Sequence, residues 1–254
     1  MREKQIYNNL HKIWDSAHFG GSPTYMIRKI LLKKTIEEVI SDFKFKKQKE
    51  SISVLDIGCG TGDYINIFTK YRIAYTGLDL SNYAINELRK KYPKEKYPEL
   101  NFICEDIFKY QSKDKYDIAF LSEVLEHIND EIEFLKIINN FLVKDGILIL
   151  SVPYDQSLWS YADEQAQHKR RYSKDYLRSM LERSGFNCNK LICYGFPLLR
   201  IYWSLTKRFR KKIQNEIKPP AKRLFLIINK IFLLDLLFLR TNRGVGLIAV
   251  AQKG

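Results

Sequence analysis

Gly58, Gly60 and Gly62 crowd the stretch VLDIGCGTGDY, residues 54–64, directly behind a short apolar run. A glycine-rich turn at a strand end lets backbone amides approach a ligand, and the amides opening the next helix offer partial positive charge to a phosphate or a carboxylate. The dinucleotide fingerprint G-x-G-x-x-G wants its third glycine at position 63, which is Asp63, so the spacing disfavours a pyrophosphate. Asp56, just ahead of the glycines, would repel a pyrophosphate but attract an ammonium. The turn therefore suits a zwitterion. Asp79 closes the next apolar run about 20 residues on, where a carboxylate accepts ribose hydroxyls. Asp106, after NFICE, is placed to accept an exocyclic amine from an adenine ring.

These residues need a scaffold that brings strand ends together. From Ser53 onward short β-branched runs, SVLDIG, AYTGLDL, NFICEDIF, YDIAFLSEV and GILILSVP, alternate with DYINIFTKY, SNYAINELRKKY and NDEIEFLKIINNFLV, whose apolar residues recur at helical spacing. Strand–helix alternation specifies a parallel sheet with helices on both faces. Ser81 and Asn129 are the expected N-caps of the helices that follow them. SKDYLRSMLERSGF adds a helix closed by Gly185, and NCNKLICYG and GVGLIAVAQK add a sixth and a seventh strand. At 254 residues, 45% of them hydrophobic, the chain can bury one substantial core, so a single domain is expected. Residues 1–50 form its N-terminal helical cap, 51–195 and 241–254 its α/β core, and 196–240 a helical insertion before the last strand.

Amino acid, ribose and adenine together describe S-adenosylmethionine. VLDIGCGTG, TGLDLS, CEDIF, YDIAFLSEVLEHI and LVKDGILILSVP, in that order, resemble the successive motifs of the class I S-adenosylmethionine-dependent methyltransferases, in the small-molecule, ubiquinone-type branch. The resemblance implies a Rossmann-like, doubly wound, seven-stranded, mostly parallel sheet. It places Asp56, Gly58, Gly60 and Gly62 around the methionine moiety, Asp79 on the ribose, Leu80 against the adenine, Asp106 and Ile107 at its edge, and Ser122 or Glu123 beside the methyl-donor end. The product would be S-adenosylhomocysteine, and no metal is expected. The four cysteines lack C-x-x-C spacing, which argues against a zinc site or a disulfide framework.

Methyl transfer from a sulfonium is an in-line displacement, so the protein mainly aligns donor and acceptor and excludes water. His127, at the mouth of the site after the fourth strand, and His168, in DEQAQHKRRYSKDYL, are the candidate catalytic bases. That second stretch is similar to a branch of the family in which His-x-Arg-Arg-Tyr-Ser faces the acceptor. Tyr154, Arg170, Arg171 and Tyr172 are accordingly acceptor-side candidates, the arginines as forks for a carboxylate or phosphate. A purely structural account of the segment, with Ser173 capping the helix, Arg170 solvated and Tyr172 packed, stays open. IWDSAHFGGSPTYMIRK is a candidate lid in which Arg28 grips the donor carboxylate and His18 or Tyr25 lines the acceptor pocket.

The formal charge is +14. Residues 196–223 hold nine Lys and Arg against only Glu216, followed by LFLIINKIFLLDLLFL, an apolar run too short and too interrupted to span a membrane. Peripheral contact with a membrane surface through 196–240, a lid over an apolar acceptor, and a solvated basic face over an ordinary packed helix all stay open. LSEV stands where base-amine methyltransferases carry N-P-P-Y, which argues against nucleic acid as a partner. The charged start MREK has no signal-peptide pattern, so the expected location is the cytoplasm, with peripheral attachment at the inner membrane face. The expected activity is methylation of an oxygen or nitrogen of a small molecule, lipid-linked or phosphorylated. An RNA methyltransferase and an inactive donor-binding scaffold at a membrane surface are the alternatives.

Overall fold

The runs read as strands form β1 (Ser53–Ile57), β2 (Ala74–Asp79), β3 (Leu100–Cys104), β4 (Tyr116–Ser122), β5 (Leu142–Pro153), β6 (Phe186–Tyr194) and β7 (Gly246–Lys253) of the computed structural model. Residues 22–45, 51–206, 230–239 and 241–254 are described. His18 and the first part of the expected cap lie outside them, as does the basic run from Lys207. The strands pair in the order β3-β2-β1-β4-β5-β7-β6. β7 runs antiparallel to both its neighbours, and the other ladders are parallel. The order reverses at β1, whose partners are β2 and β4, and such a switch point opens a crevice at the carboxyl ends of the strands.

Strand residues alternate between two cores. Val54, Ile118 and Phe120 join one, and Leu55, Ala119 and Leu121 join the other. The first face is covered by α1 (Pro23–Phe45), α2 (Ile65–Lys70) and α3 (Asn82–Lys91). α1 contributes Ile27, Leu32, Ile36 and Ile40, none of them exposed, at the i, i+4 and i+5 spacing of one helical stripe. The second face is covered by α4 (Glu131–Phe141) and α6 (Lys174–Arg183). Phe134, Leu135, Leu177 and Leu181 supply most of that contact. Both sheet faces are therefore dry, which is why the central strands read as near-continuous apolar runs.

Two expectations about α4 need correction. Its N-cap is Asp130, whose carboxylate accepts from Glu133 N at 3.0 Å, while the Asn129 side chain takes Lys169 Nζ instead. The helix ends at Phe141 and the chain passes directly into β5, so Leu142 and Val143 belong to the strand despite their helical spacing. Ser81 caps α3 as expected, accepting from Ala84 N. After β6 the insertion begins with α7 (Leu198–Thr206) and closes with a 3-10 turn at Phe232–Phe238. Asp235 is fully buried and accepts from Leu198 N and Leu199 N at 2.8 and 2.9 Å. The acid that interrupts the apolar run is thus the cap of α7.

Candidate active site

β1 ends in the glycine turn because its geometry excludes side chains. Gly58 has φ +72°, and a Cβ there would lie 2.5 Å from Val124 Cγ2. The loop is fixed from the neighbouring strand: Gly58 N donates to Leu78 O at 2.7 Å, and Gly60 N donates to an Asp79 carboxylate oxygen at 2.8 Å. The second Asp79 oxygen takes Ser81 N at 2.7 Å. Asp56 lies beneath the loop, almost wholly buried, with the Tyr75 hydroxyl donating to it at 2.7 Å. Burial drives its pKa up to about 7; the Tyr75 bond opposes this, and Asp79 and Asp63 add to it.

A cavity of about 810 Å³ opens over this turn. One half is walled by Asp56, Gly58, Gly60, Asp79, Leu80, Asp106 and Ile107. Glu123 follows β4 with φ +57°, a strained conformation for a side-chain-bearing residue. Its carboxylate accepts from Ser151 Oγ and pairs with Arg28 Nη1 of α1 at 2.7 Å. Burial alone would lower the Arg28 pKa, but Glu123, with Tyr194 and Tyr64, more than offsets it, so the guanidinium stays charged. The start of α1 thereby lines the cavity through Tyr25 and Arg28.

The other half is built on the segment after β5. α5 (Tyr161–Gln165) carries Asp163, on which five donors converge: Ser160 N and Oγ, His168 Nδ1 at 3.0 Å, Arg171 Nε at 2.9 Å and Arg171 Nη2 at 3.0 Å. Burial would raise this carboxyl, but His168 and Arg171 hold it down at about 2. The His168 ring packs edge-on against His127, centroids 5.0 Å apart. Burial, reinforced by His168, pushes His127 down to about 4. It is therefore neutral at physiological pH, the form that can accept a proton. Behind both rings Glu126 is fully buried, neither carboxylate oxygen has a hydrogen bond, and burial raises its pKa, with Glu123 adding to the effect. Trp203 of α7, with the Arg171 guanidinium 4.8 Å above its ring, and Tyr202 complete the wall.

Residues 29–191 match the family described as a methyltransferase domain. The chain belongs to that family. It is a class I S-adenosylmethionine-dependent methyltransferase in sequence pattern and in fold. A ubiquinone biosynthesis O-methyltransferase of Pelagibacter ubique is 26% identical over 163 residues, covering 63% of this chain and 67% of that protein. A malonyl-[acyl-carrier protein] O-methyltransferase of Ilyobacter polytropus is 33% identical over 107 residues, covering 41% and 40%. This methyltransferase thus spans about two-thirds of the first relative's length and well under half of the second's. Among solved structures, an S-adenosylmethionine-dependent methyltransferase from Archaeoglobus fulgidus shares the fold with a TM-score of 0.56 at 19% identity, covering 89% of this chain and 94% of that one.

Of the site residues read from the methyltransferase sequence, Asp56, Gly58, Gly60, Asp79, Leu80, Asp106, Ile107, Ser122, Glu123, Arg28, Tyr25, His127, His168 and Arg171 share the cavity. Gly62 does not line it; a Cβ there would meet Ile65 and Leu88 at 2.6–2.7 Å, so this glycine serves helix packing. Arg170 and Tyr172 both donate to Glu131 on α4, and Tyr172 is fully buried. The Tyr154 hydroxyl donates to Asn242 O. These three pin the segment to its neighbours. Arg171 faces the cavity but is committed to Asp163, Trp203 and Tyr154 O. Asp163, Glu126, Tyr64, Tyr194 and Trp203 were missed. The first two carried a signal, being acids five residues before His168 and directly before His127.

Proposed function

We propose that this methyltransferase moves the sulfonium methyl of S-adenosylmethionine to a hydroxyl oxygen of a small amphiphilic acceptor. The donor lies over the glycine turn, its ammonium toward Asp56, its ribose on Asp79, its adenine between Leu80, Asp106 and Ile107, and its carboxylate toward Arg28. The observation that carries the reading is the division of one continuous cavity into this half and a second one walled by Tyr25, His127, His168 and Trp203, so that an acceptor meets the methyl at the seam. His127 and His168 form the catalytic side. Oxygen is preferred because the two relatives described above are named O-methyltransferases.

An amphiphilic acceptor is supported by the outer face of the insertion. Tyr202 and Trp203 line the cavity, while Ile201 and Leu205 of the same helix are 53% and 68% exposed, and Leu234, Leu237 and Phe238 extend the apolar surface. Such a patch beside a cavity mouth suits contact with a membrane surface that presents the acceptor. No helix among the described residues is long and apolar enough to cross a membrane. The test supplies methyl-labelled donor and a cell extract to the purified protein, with Asp79→Ala as control. Label is expected in the lipid or small-molecule fraction as an alkali-stable methyl ether. Label in RNA or protein, or tight donor binding without turnover, refutes the reading.

A further inference from the structure

Arg28 and Glu123 meet in the cavity from different walls. Arg28 Nη1, on α1, lies 2.7 Å from Glu123 Oε2 at the end of β4, and the two side chains are only 16% and 23% exposed. Arg28 Nε is buried and has no hydrogen-bond partner, so the guanidinium keeps an N–H uncommitted that suits an anion. Tyr64 and Tyr194 stand beside the same guanidinium, and burial raises the pKa of both phenols, so neither supplies a negative charge. Glu123 has φ +57°, a conformation that persists only where neighbours enforce it. Glu123 N donates to Ser151 O at 3.1 Å, and Ser151 Oγ donates to the carboxylate at 3.2 Å. The backbone and Ser151 thus hold the acid at the cavity whether or not Arg28 is its partner.

That place adjoins the turn that receives the amino-acid end of the donor. Leu121, two residues before Glu123, is in register with Ile57, and Val124, one residue after it, is the side chain that a Cβ on Gly58 would strike at 2.5 Å. On the methyl-transfer reading, on which this inference rests, the donor brings two opposite charges here, a carboxylate toward Arg28 and a sulfonium at the seam. Arg28 and Glu123 neutralise each other in the structure, so binding exchanges partners and leaves no charge unpaired. Methyl transfer then forms the O–CH3 bond as the C–S bond breaks; the acceptor proton leaves through the histidine side, and the C–S electron pair stays on sulfur as a neutral thioether. The product carboxylate still occupies Arg28, but Glu123 has lost its counter-charge in a partly desolvated site, which is unfavourable. Re-forming the ion pair relieves Glu123 and displaces the product carboxylate.

We infer that Glu123 is the residue by which the site tells donor from product: it pairs with the sulfonium of S-adenosylmethionine, and with Arg28 once S-adenosylhomocysteine has formed. Toward the donor it acts by direct contact, and toward the product by competing for Arg28.

Calorimetry on the full chain measures both affinities without turnover, for the wild type, Glu123→Gln and Arg28→Gln. The wild type is expected to bind S-adenosylmethionine at least about tenfold more tightly than S-adenosylhomocysteine. In Glu123→Gln that preference should fall at least about tenfold, and the product should bind more tightly than it does to the wild type, because Arg28 no longer has a rival for its carboxylate. A merely structural role for Glu123 would weaken both ligands and cannot produce that gain. Arg28→Gln should weaken both ligands and keep the preference. Sinefungin, which carries an ammonium where the donor carries its sulfonium, should follow the donor across the series. Equal binding of donor and product by the wild type, or parallel losses of both in Glu123→Gln, overturns the inference and leaves methyl transfer standing, since that is scored separately with labelled donor. Binding of neither nucleoside by the folded wild type overturns the proposed function and the inference with it.

Discussion

Asp56→Asn offers the sharpest test of the electrostatics beneath the glycine turn. The carboxyl is almost wholly buried, and burial takes its pKa from the ordinary 3.8 to about 7. Between those two values the folded protein keeps a proton that the unfolded chain has released, so the unfolded state binds fewer protons and stability falls as pH rises. About three pKa units at 1.36 kcal/mol each give a penalty of about 4 kcal/mol, absent below about pH 4 and fully developed above about pH 7. Asparagine keeps a carbonyl for the Tyr75 hydroxyl, which donates at 2.7 Å, and removes the charge. The variant should match the wild type, or fall about 1 kcal/mol below it, near pH 4.5, and gain roughly 1.4 kcal/mol per unit up to about pH 7, ending about 2–3 kcal/mol more stable at pH 8. Urea unfolding without donor, repeated across that range, measures the difference. Parallel stability curves for the two proteins would refute the argument, because they would mean that Asp56 is ionised in the fold at no cost.

Three further outcomes are expected. Gly58→Ala forces a Cβ against Val124 at a φ of +72° and should cost about 1–3 kcal/mol in thermal or urea unfolding, together with a marked loss of S-adenosylhomocysteine binding by calorimetry. Asp235→Ala removes the cap of α7 and leaves two amides of a buried contact unsatisfied, which should lower stability by about 1–2 kcal/mol; an unchanged urea midpoint would contradict the capping role. Leu205→Glu combined with Leu237→Glu places charge on the exposed apolar face and should reduce sedimentation with anionic vesicles at least about tenfold while leaving donor affinity as it was.

The sheet was readable because its strands are buried on both faces and its helices carry one apolar stripe; period and turn chemistry agreed along the strands, while both ends of α4 departed from them. The β1 loop was readable for a different reason. Glycines at φ values that other residues avoid, with an acid at the end of the next strand, leave few alternatives. The acceptor half was harder. His168 and Arg171 stand in a recognisable string, but nothing in the string says which side chain turns inward: Arg170 goes to Glu131 and Arg171 to Asp163, each partner lying on another element. Glu126 was hidden because an acid beside a histidine is ordinary in sequence, and only its complete burial sets it apart. Trp203 reaches the cavity from a helix more than 30 residues beyond His168, a proximity that no local pattern encodes. The cap at Asn129 failed for a similar reason, since Lys169 claimed the side chain from a distance.

The stretch shared with the family, residues 29–191, contains the glycine turn and the acids around it, whereas Tyr25, Arg28, Tyr194, Tyr202 and Trp203 come from outside that stretch and close over the cavity. A common engine is thus flanked by two walls drawn from outside the shared stretch. Drift in those walls can exchange one client molecule for another without retooling the engine, and a graft of both flanks onto a related engine should carry the client preference with it.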